Sequence, residues 1–583
     1  MTASFIAMTL LSLTQAGAPI INVDVKDREA ITGERKFRVT VEAKTPITQV
    51  EFYVGSDLRD SDTSTPYEFK IDTLEVDDGD LKVTFAAYTS DGKSTKKAMT
   101  LKVDNGVSKG ADFHVQQGEE LLRSSKWDDA ITAGRIALKA QKGYNPARMV
   151  LARAYMGKNT LDRAQKFAED IVADDPKSLP GLELVAAVKL QQAFTTVNRG
   201  GNTADTQKII EEALKGAAEA RRKSLDMQVD NFGAVTNENR LRYADLAITA
   251  GRFSLVPSTL TTEFAKDISN AAYGNRLAFA YLKMGRYAEA RAALKDLNKR
   301  EAMDGYSYAL LAVIETDAGN RTASDEAMKE AVLSDGENLG VRTGQAYIAL
   351  KSGNNSVVGK LASDLGREQG QKTEVNYFLS ALTNRLKEFE QSRRYFERSV
   401  LAEPANYDMY VERGNESLKI ALNGGLQKKD ADIQLANAKI LYNTALVAQQ
   451  TSFQALTGLS IINLIQGNVR DAMKFGEAAI AANANYAGSF YALAAAYSSY
   501  AKQLALQEEE LNKNPQGDKQ ALDAQKRQIS AAKSKAIADC QRANLRAGSL
   551  DKPNLEGREV PDARAAFRYF ESAGRTLVMT APN

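Results

Sequence analysis

The chain has 583 residues, 43% hydrophobic and 26% charged, which excludes wholesale disorder and a polytopic membrane protein. Its 76 Lys and Arg stand against 74 Asp and Glu, a net charge of +2, so the charge balance gives no sign of a nucleic-acid protein. One cysteine, Cys540, and one histidine, His114, exclude an intrachain disulfide, a cysteine zinc cluster, a histidine-rich metal site and most histidine-based catalysis.

In chain order, the first feature is the apolar run Ser4 to Leu13, followed by Ala16-Gly17-Ala18. The run is too short to span a bilayer and has the length of a secretory h-region ahead of an A-x-A cleavage site. No Lys or Arg precedes it, and Pro19 follows directly. The expectation is a signal peptide over 1–18, with no later stretch long enough for a transmembrane helix.

From Ile20 to Asp104 the apolar period is two. Val23 and Val25, then Phe37, Val39 and Val41, then Val50, Phe52 and Val54 alternate with polar residues. Leu81, Val83, Phe85 and Ala87 follow, then Met99, Leu101 and Val103. Turn signals at Thr32-Gly33, Asp77-Asp78-Gly79 and Asp91-Gly92 divide about seven short strands, the pattern of a β-sandwich. The stretches Val50 to Gly55, Thr65 to Phe69, Ile71 to Thr73 and Gly79 to Tyr88 resemble the bacterial immunoglobulin-like modules of exported proteins. That resemblance implies export and a spacer or adhesion role over 19–106. The acids Asp57, Asp60, Asp62, Asp77, Asp78 and Asp80 match no EF-hand spacing and are read as solvated turn acids.

After residue 106 the period becomes helical, and the chain repeats itself. Gly118, Ala152 and Ala186 are 34 apart; so are Ala278, Ala312, Ala346, Ser380 and Gly414, and again Ser460 and Ala494. The fullest copy runs Ala278, Tyr281, Gly285, Tyr287, Ala290, Leu294, Leu297. This resembles the tetratricopeptide repeat, and it implies an α-solenoid of about ten or eleven helix-turn-helix units over 107–550. Residues 237–270 read as a divergent copy whose second helix is interrupted at Val256-Pro257. Ala565 to Val578, within the tail 551–583, is amphipathic and reads as a capping helix.

Three repeats are longer, with turns at Arg199 to Asn202, Asn423 to Gly425 and Asn514 to Asp518. They predict helical hairpins projecting near 195–236, 419–436 and 500–535. In the third, Leu522, Ile529, Ala536 and Ala543 recur every seven residues, as in a helix packed along its partner.

Chemical signals are weak. His114 has no triad pattern, and Cys540 and Trp127 read as core. No glycine-rich phosphate loop follows a strand, and no stretch is left for a catalytic domain. The expectation is a non-enzymatic scaffold without cofactor or metal, secreted or envelope-associated, with a protein or peptide partner. The alternatives are an accessory factor or enzyme of envelope or glycan processing, and adhesion or glycan binding through the Ig-like module. The repeat resemblance implies a peptide groove against the first helices, at the second, fifth, ninth, twelfth and thirteenth positions. Here these hold Asn275, Phe279 and Lys283; Tyr306 and Asp317; Tyr347 and Lys351; Tyr377, Asn384 and Arg385; Asn415 and Lys419; and Tyr491. The Lys-fifth, Asn-ninth clamp for a C-terminal carboxylate is not matched, since Val115, Met149, Asn275 and Tyr377 hold fifth positions.

Overall fold

The computed structural model describes residues 18–200, 203–352, 355–369, 373–422, 427–514 and 518–550. Residues 1–17 of the expected signal peptide, the tail 551–583 with its expected capping helix, and the centres of the three hairpin turns lie outside the described residues. The chain divides into two compact units, one ending at Pro176 and one beginning at Lys177.

The first unit opens with eight strands: β1 (Ile20–Val23), β2 (Ala30–Ile31), β3 (Glu34–Glu42), β4 (Ile47–Val54), β5 (Asp57–Asp62), β6 (Tyr67–Asp72), β7 (Gly79–Thr89) and β8 (Ser94–Val103). They form two sheets, ordered β1-β3-β6 and β2-β8-β7-β4-β5. Register places Phe37 opposite Phe69 in one sheet and Phe52 opposite Phe85 in the other. The four rings meet between the sheets with centroids 5.1 to 5.9 Å apart, the spacing at which aromatic pairs attract beyond their buried area.

The expected turn acids Asp57, Asp60 and Asp62 instead lie on β5, an edge strand paired with β4. Almost all of β5 is exposed, so hydropathy alternation does not reveal it. Charge on an exposed edge blocks pairing with other chains.

Four helices complete this unit: α1 (Ala111–Arg123), α2 (Trp127–Ala140), α3 (Asn145–Gly157) and α4 (Leu161–Asp174). The sandwich is fastened to them. Arg135 on α2 pairs with Asp72, and Lys139 donates to the Val76 carbonyl. Asn105, 3% exposed, accepts from the Thr73 hydroxyl at 2.7 Å and from the Gly33 N–H at 3.2 Å, and donates to Asp78 at 2.8 Å. His114 donates from Nε2 to the Gly106 carbonyl at 2.7 Å. Its ring is a structural tie at the junction.

The second unit contains α5 (Leu179–Asn198), α6 (Ala204–Asp230), α7 (Arg240–Thr249), α8 (Leu255–Lys266), α9 (Ala271–Lys283), α10 (Tyr287–Asn298), α11 (Gly305–Asp317), α12 (Arg321–Asp335), α13 (Leu339–Ser352), α14 (Asn355–Gln369), α15 (Thr373–Arg385), α16 (Phe389–Ala402), α17 (Tyr407–Leu422), α18 (Lys428–Ala448), α19 (Phe453–Ile465), α20 (Val469–Ala482), α21 (Ala487–Lys513) and α22 (Lys519–Leu550). Among the described residues of both units, 22 helices thus form eleven pairs.

Two devices recur at the repeat period. The first is the crossing of the paired helices. In the repeats of ordinary length the small residue that marks the period is buried, and so is the residue twelve later: Ala152 with Ala164, Ala278 with Ala290, Ala312 with Ser324, Ser380 with Ser392. Where the second residue is serine, its hydroxyl donates across the crossing, from Ser324 to the Ala312 carbonyl at 2.9 Å and from Ser392 to the Ser380 carbonyl at 2.8 Å. The second is the turn. Arg252, Arg286 and Asn320 donate their N–H to the carbonyls of Ala247, Tyr281 and Glu315 at 2.8 Å, the six-to-one bond of a Schellman cap. The residue before each donor has positive φ: Gly251, Gly285 and Gly319 here, and Ser125, Asn159 and Lys387 in other copies.

Two local expectations change. Pro257 does not interrupt a helix; it stands in the first turn of α8, which starts at Leu255, where the missing N–H has no intrahelical partner to lose. Phe389, which holds in its repeat the position that Trp127 holds in the first and so shares its expected core role, is 52% exposed. Trp127 itself is half-buried, with its ring against Gly157.

The second unit closes on itself. Gln449, after α18, donates to the Gly251 carbonyl in the α7–α8 turn at 3.0 Å. One repeat further along both partners, a Cβ on Gly285 would stand 2.7 Å from Asn483 Nδ2. Repeats four and five therefore stack edge to edge on repeats nine and ten. Arg221 on α6 adds a two-point pair with Glu403, at 2.8 and 3.0 Å. Ala218, Leu225, Ala405 and Ala448 pack beneath it. The α5–α6 extension does not stand free as expected: Asn198 accepts from Arg393 at 2.6 Å and Glu211 from Asn443 at 2.8 Å.

Candidate functional site: the inner face of the first helices

From α9 to α17 the thirteenth position of each repeat falls in the last turn of its first helix. In five consecutive repeats it holds Lys283, Asp317, Lys351, Arg385 and Lys419, each 34 residues from the next. Because every first helix leaves the same turn, the repeat geometry sets these side chains in a column.

Lys283 reaches Asp408 on α17 at 2.6 Å, 125 residues away, and lies 5.1 Å from the Tyr407 ring centroid. Burial opposes its charge, but Asp408 and Tyr407 overcompensate and hold the ammonium well above its usual range. Asp317 accepts from the Tyr347 hydroxyl at 2.6 Å. Burial raises the Asp317 carboxyl, with Lys351 and Tyr347 opposing. Lys351 lies 5.3 Å from the Tyr347 ring centroid. Lys419 pairs with Glu416 at 2.9 Å. Burial also raises Glu412, against the pull of Lys419 and Lys351. The α17 acids Asp408, Glu412 and Glu416 recur every four residues, which sets them on one helix face.

The expected groove residues fall into two groups. Tyr347 belongs to this cluster directly. Tyr377 is half-buried beside Phe378, at 4.7 Å between centroids, and its hydroxyl is raised well above its usual value by burial, then by Glu412 and Asp408. Phe279 is half-buried, 6.0 Å from the Lys283 ammonium. Arg385 and Tyr491 are half-buried on α15 and α21. The other group binds the repeats to each other. Asn275 accepts from the Ser307 hydroxyl at 2.7 Å and donates to Asp304 at 3.3 Å. Asn384 accepts from Arg413 at 2.9 Å and donates to Glu416 at 3.2 Å. Asn415 bonds within its own repeat instead, accepting from the Tyr442 hydroxyl of α18 at 2.8 Å. Tyr306 lies with its ring against Gly340 of the next repeat.

The sequence reading missed Tyr407, Asp408, Glu412 and Glu416, although the acidic period of four on α17 was open to it. A cavity of about 240 Å³ adjoins Lys283, Tyr407, Gly251 and Gln449. A separate cavity of about 620 Å³ is lined by Met328, Ile348, Leu361, Arg321 and Asp364 of α12, α13 and α14.

Catalytic chemistry finds little here. Cys540 is 1% exposed, packed with Ala494 and Ala543, and burial pushes its thiol up to about 11, which keeps it from the reactive thiolate form. Among the described residues no group of three or more His, Cys, Asp or Glu is arranged to hold a metal ion. No helix among them is long and apolar enough to cross a membrane.

Comparison with known proteins gives two family matches: a bacterial Ig domain over residues 26–103 and a tetratricopeptide repeat over 115–178. No curated protein matches the chain. Among solved structures, the fibronectin(III)-like modules of CbhA from Clostridium thermocellum are 30% identical. That match covers 14% of this chain and 94% of the module, with a TM-score of 0.13. Yeast Tom70 is 14% identical over 81% of this chain and 98% of its own, with a TM-score of 0.32. The Cut9–Hcn1 hetero-tetramer of the APC/C is 16% identical over 79% and 96%, with a TM-score of 0.34.

Proposed function

The chain is a tetratricopeptide-repeat protein with an N-terminal bacterial Ig domain, and from that premise we propose that it is an exported, non-enzymatic scaffold holding an extended segment of a protein partner along the inner face of α9 to α17. Tetratricopeptide repeats point to protein partners. The observation that carries the inner-face reading is the gathering of half-buried aromatic rings and ionic side chains from successive repeats, around Tyr347, Tyr377, Lys283 and Lys351. Rings cover apolar side chains of an extended ligand, and charged groups anchor its polar ones.

The test is a double change, Tyr377→Ala with Arg385→Ala, measured against a captured partner. Aromatic and Arg anchors dominate such interfaces, so affinity should fall about tenfold or more with an unchanged melt. If affinity persists while removal of 500–535 abolishes it, the α21–α22 hairpin is the binding element instead. Export is supported by the apolar run before Ala16-Gly17-Ala18 and by the Ig domain. Fractionation with N-terminal sequencing checks it, and cytosolic protein retaining Met1 would overturn it.

A further inference from the structure

We propose that the outer face of the five-stranded sheet is a platform for a neutral glycan, built from Tyr53, Tyr88 and Glu51. It belongs to the sandwich and is independent of the peptide-binding reading above. Phe52 and Phe85 are buried in the core, so their strand neighbours Glu51, Tyr53 and Ala86 face outward. Register sets Glu51 opposite Ala86, Gln49 opposite Tyr88, and Ala86 opposite Lys96. Both tyrosine hydroxyls donate to one oxygen of Glu51, Tyr53 at 2.5 Å and Tyr88 at 2.8 Å. The Gln49 amide donates to the other oxygen at 2.9 Å.

These bonds lay the rings down. Glu51 is two residues from Tyr53 on the same strand, ~6.6 Å along it, and Tyr88 stands diagonally across from Glu51. A tyrosine hydroxyl meets such a neighbour only when its ring lies along the sheet instead of standing up from it. Ala86, opposite Glu51, is fully buried although it faces outward, so side chains lie over it. Both rings are half-buried, with one face on the sheet and the other left to solvent. Leu58, opposite Tyr53 on β5, is 52% exposed and extends the apolar strip. The result is a flat apolar surface with a carboxylate at its centre.

Hydrogen bonding selects the ligand. The bond to Glu51, then burial, raises both hydroxyls above their usual range, so both stay protonated and their protons are spent on Glu51. The centre therefore offers acceptors, the lone pairs of the carboxylate and of the two phenol oxygens. Donors stand beside it, on the Gln49 amide and on the Lys96 ammonium, 5.8 Å from the Tyr53 ring centroid. A proline-rich segment brings carbonyl acceptors and no N–H, and the carboxylate repels it. A cationic side chain brings donors, but Lys96 already holds the place over Tyr53 where a cation is favoured. A sugar hydroxyl both donates and accepts, and a pyranose with equatorial hydroxyls turns its C–H faces to the rings.

The experiment titrates the full chain by calorimetry with cellohexaose, whose ring hydroxyls are all equatorial, and with decaproline and decalysine. Cellohexaose should bind saturably. Tyr53→Ala and Tyr88→Ala should each weaken it about tenfold or more, with the melt of each variant recorded. Glu51→Gln keeps the shape of the side chain and turns one acceptor oxygen into a donor, so it should weaken binding too. The double change Tyr377→Ala with Arg385→Ala, on the inner face of the repeats, should leave cellohexaose binding as it was. Absence of saturable cellohexaose binding would overturn the proposal, as would equal affinity of Glu51→Gln and the unchanged chain. Loss of cellohexaose binding in the inner-face variant would place the sugar on the repeats and also overturn it. If decaproline or decalysine binds instead and Tyr53→Ala removes that binding, the platform takes a peptide and the glycan assignment falls.

Discussion

Ala290 shows how little space a repeat leaves at its crossing. It is fully buried, as is Ala278 on the facing helix. The position of Ala278 also faces the next repeat, as at Gly118, where a Cβ would stand 2.7 Å from the Val150 side chain on α3. Ala290→Leu should cost about 1–3 kcal/mol by overpacking, read as a lower urea midpoint with unchanged slope. Glu412 makes a different residue-scale prediction. Its folded-state proton affinity is raised above the ordinary value of 4.5, so the folded chain binds the proton more tightly than the unfolded one. The stability linked to that proton is present below pH 4.5 and is lost as pH rises through the folded value. Glu412→Gln should therefore stabilise the chain at pH 7, and the gain should shrink towards zero as pH falls to about 4.5. Paired melts from pH 4 to 8 check the sign.

At the scale of elements, the turns explain why this array tolerates such varied sequence. The Schellman bond recurs at Lys126, Thr160, Arg252, Arg286, Asn320, Glu388 and Asn468, while the residue supplying positive φ is glycine in some copies and Ser125, Asn159 or Lys387 in others. Gly285 has a second constraint, its closeness to Asn483; the φ-tolerant Asn would clash there. The sandwich junction depends on one amide. Asn105→Ala would strip the buried Gly33 N–H of its partner and leave the Thr73 hydroxyl only the Gly33 carbonyl, at about 1–3 kcal/mol for the group left unsatisfied. Hydrogen exchange should then show β3, β6 and α2 losing protection together, because the contacts of Asp72 with Arg135 and of Val76 with Lys139 make the sandwich and first repeat one cooperative body. Loss confined to the sandwich would contradict that.

At the scale of the molecule, closure of the second unit is the feature with most consequence. The Arg221–Glu403 pair is only 21% and 24% exposed, so reversing one charge leaves two cations facing each other with little water between them. Glu403→Arg should part α6 from the α16–α17 junction, raising the radius of gyration in X-ray scattering without loss of helical circular dichroism. The chain should also melt identically with EDTA or reductant present. Its only thiol is buried at Cys540 and its only imidazole is bonded to a backbone carbonyl at Gly106. A chelator-induced fall would revive the acids near Asp77, Asp78 and Asp80 as a Ca²⁺ site.

Local rules reached far in this chain. Alternation around Phe37, Phe52 and Phe85 sufficed for the sandwich, because each strand buries one face. The 34-residue phase of small residues sufficed for the helix pairs, because a crossing accepts nothing larger. Both signals are short-range, written in neighbours a strand period or one repeat apart. The β5 strand escaped because an exposed edge needs no apolar pattern, and Pro257 misled because its effect depends on which turn of the helix it occupies. The inner face was legible as a list of positions but not as a site. The repeat period placed Asn275, Asn384 and Tyr347 on first helices, yet it says nothing about whom they meet. Asn275 and Asn384 bond neighbouring repeats, and Lys283 meets Asp408 across 125 residues. Those partners are decided by how much each repeat rotates against the next. That rotation accumulates over many packed interfaces, and only the folded second unit shows that it brings the edges of repeats four and five onto repeats nine and ten.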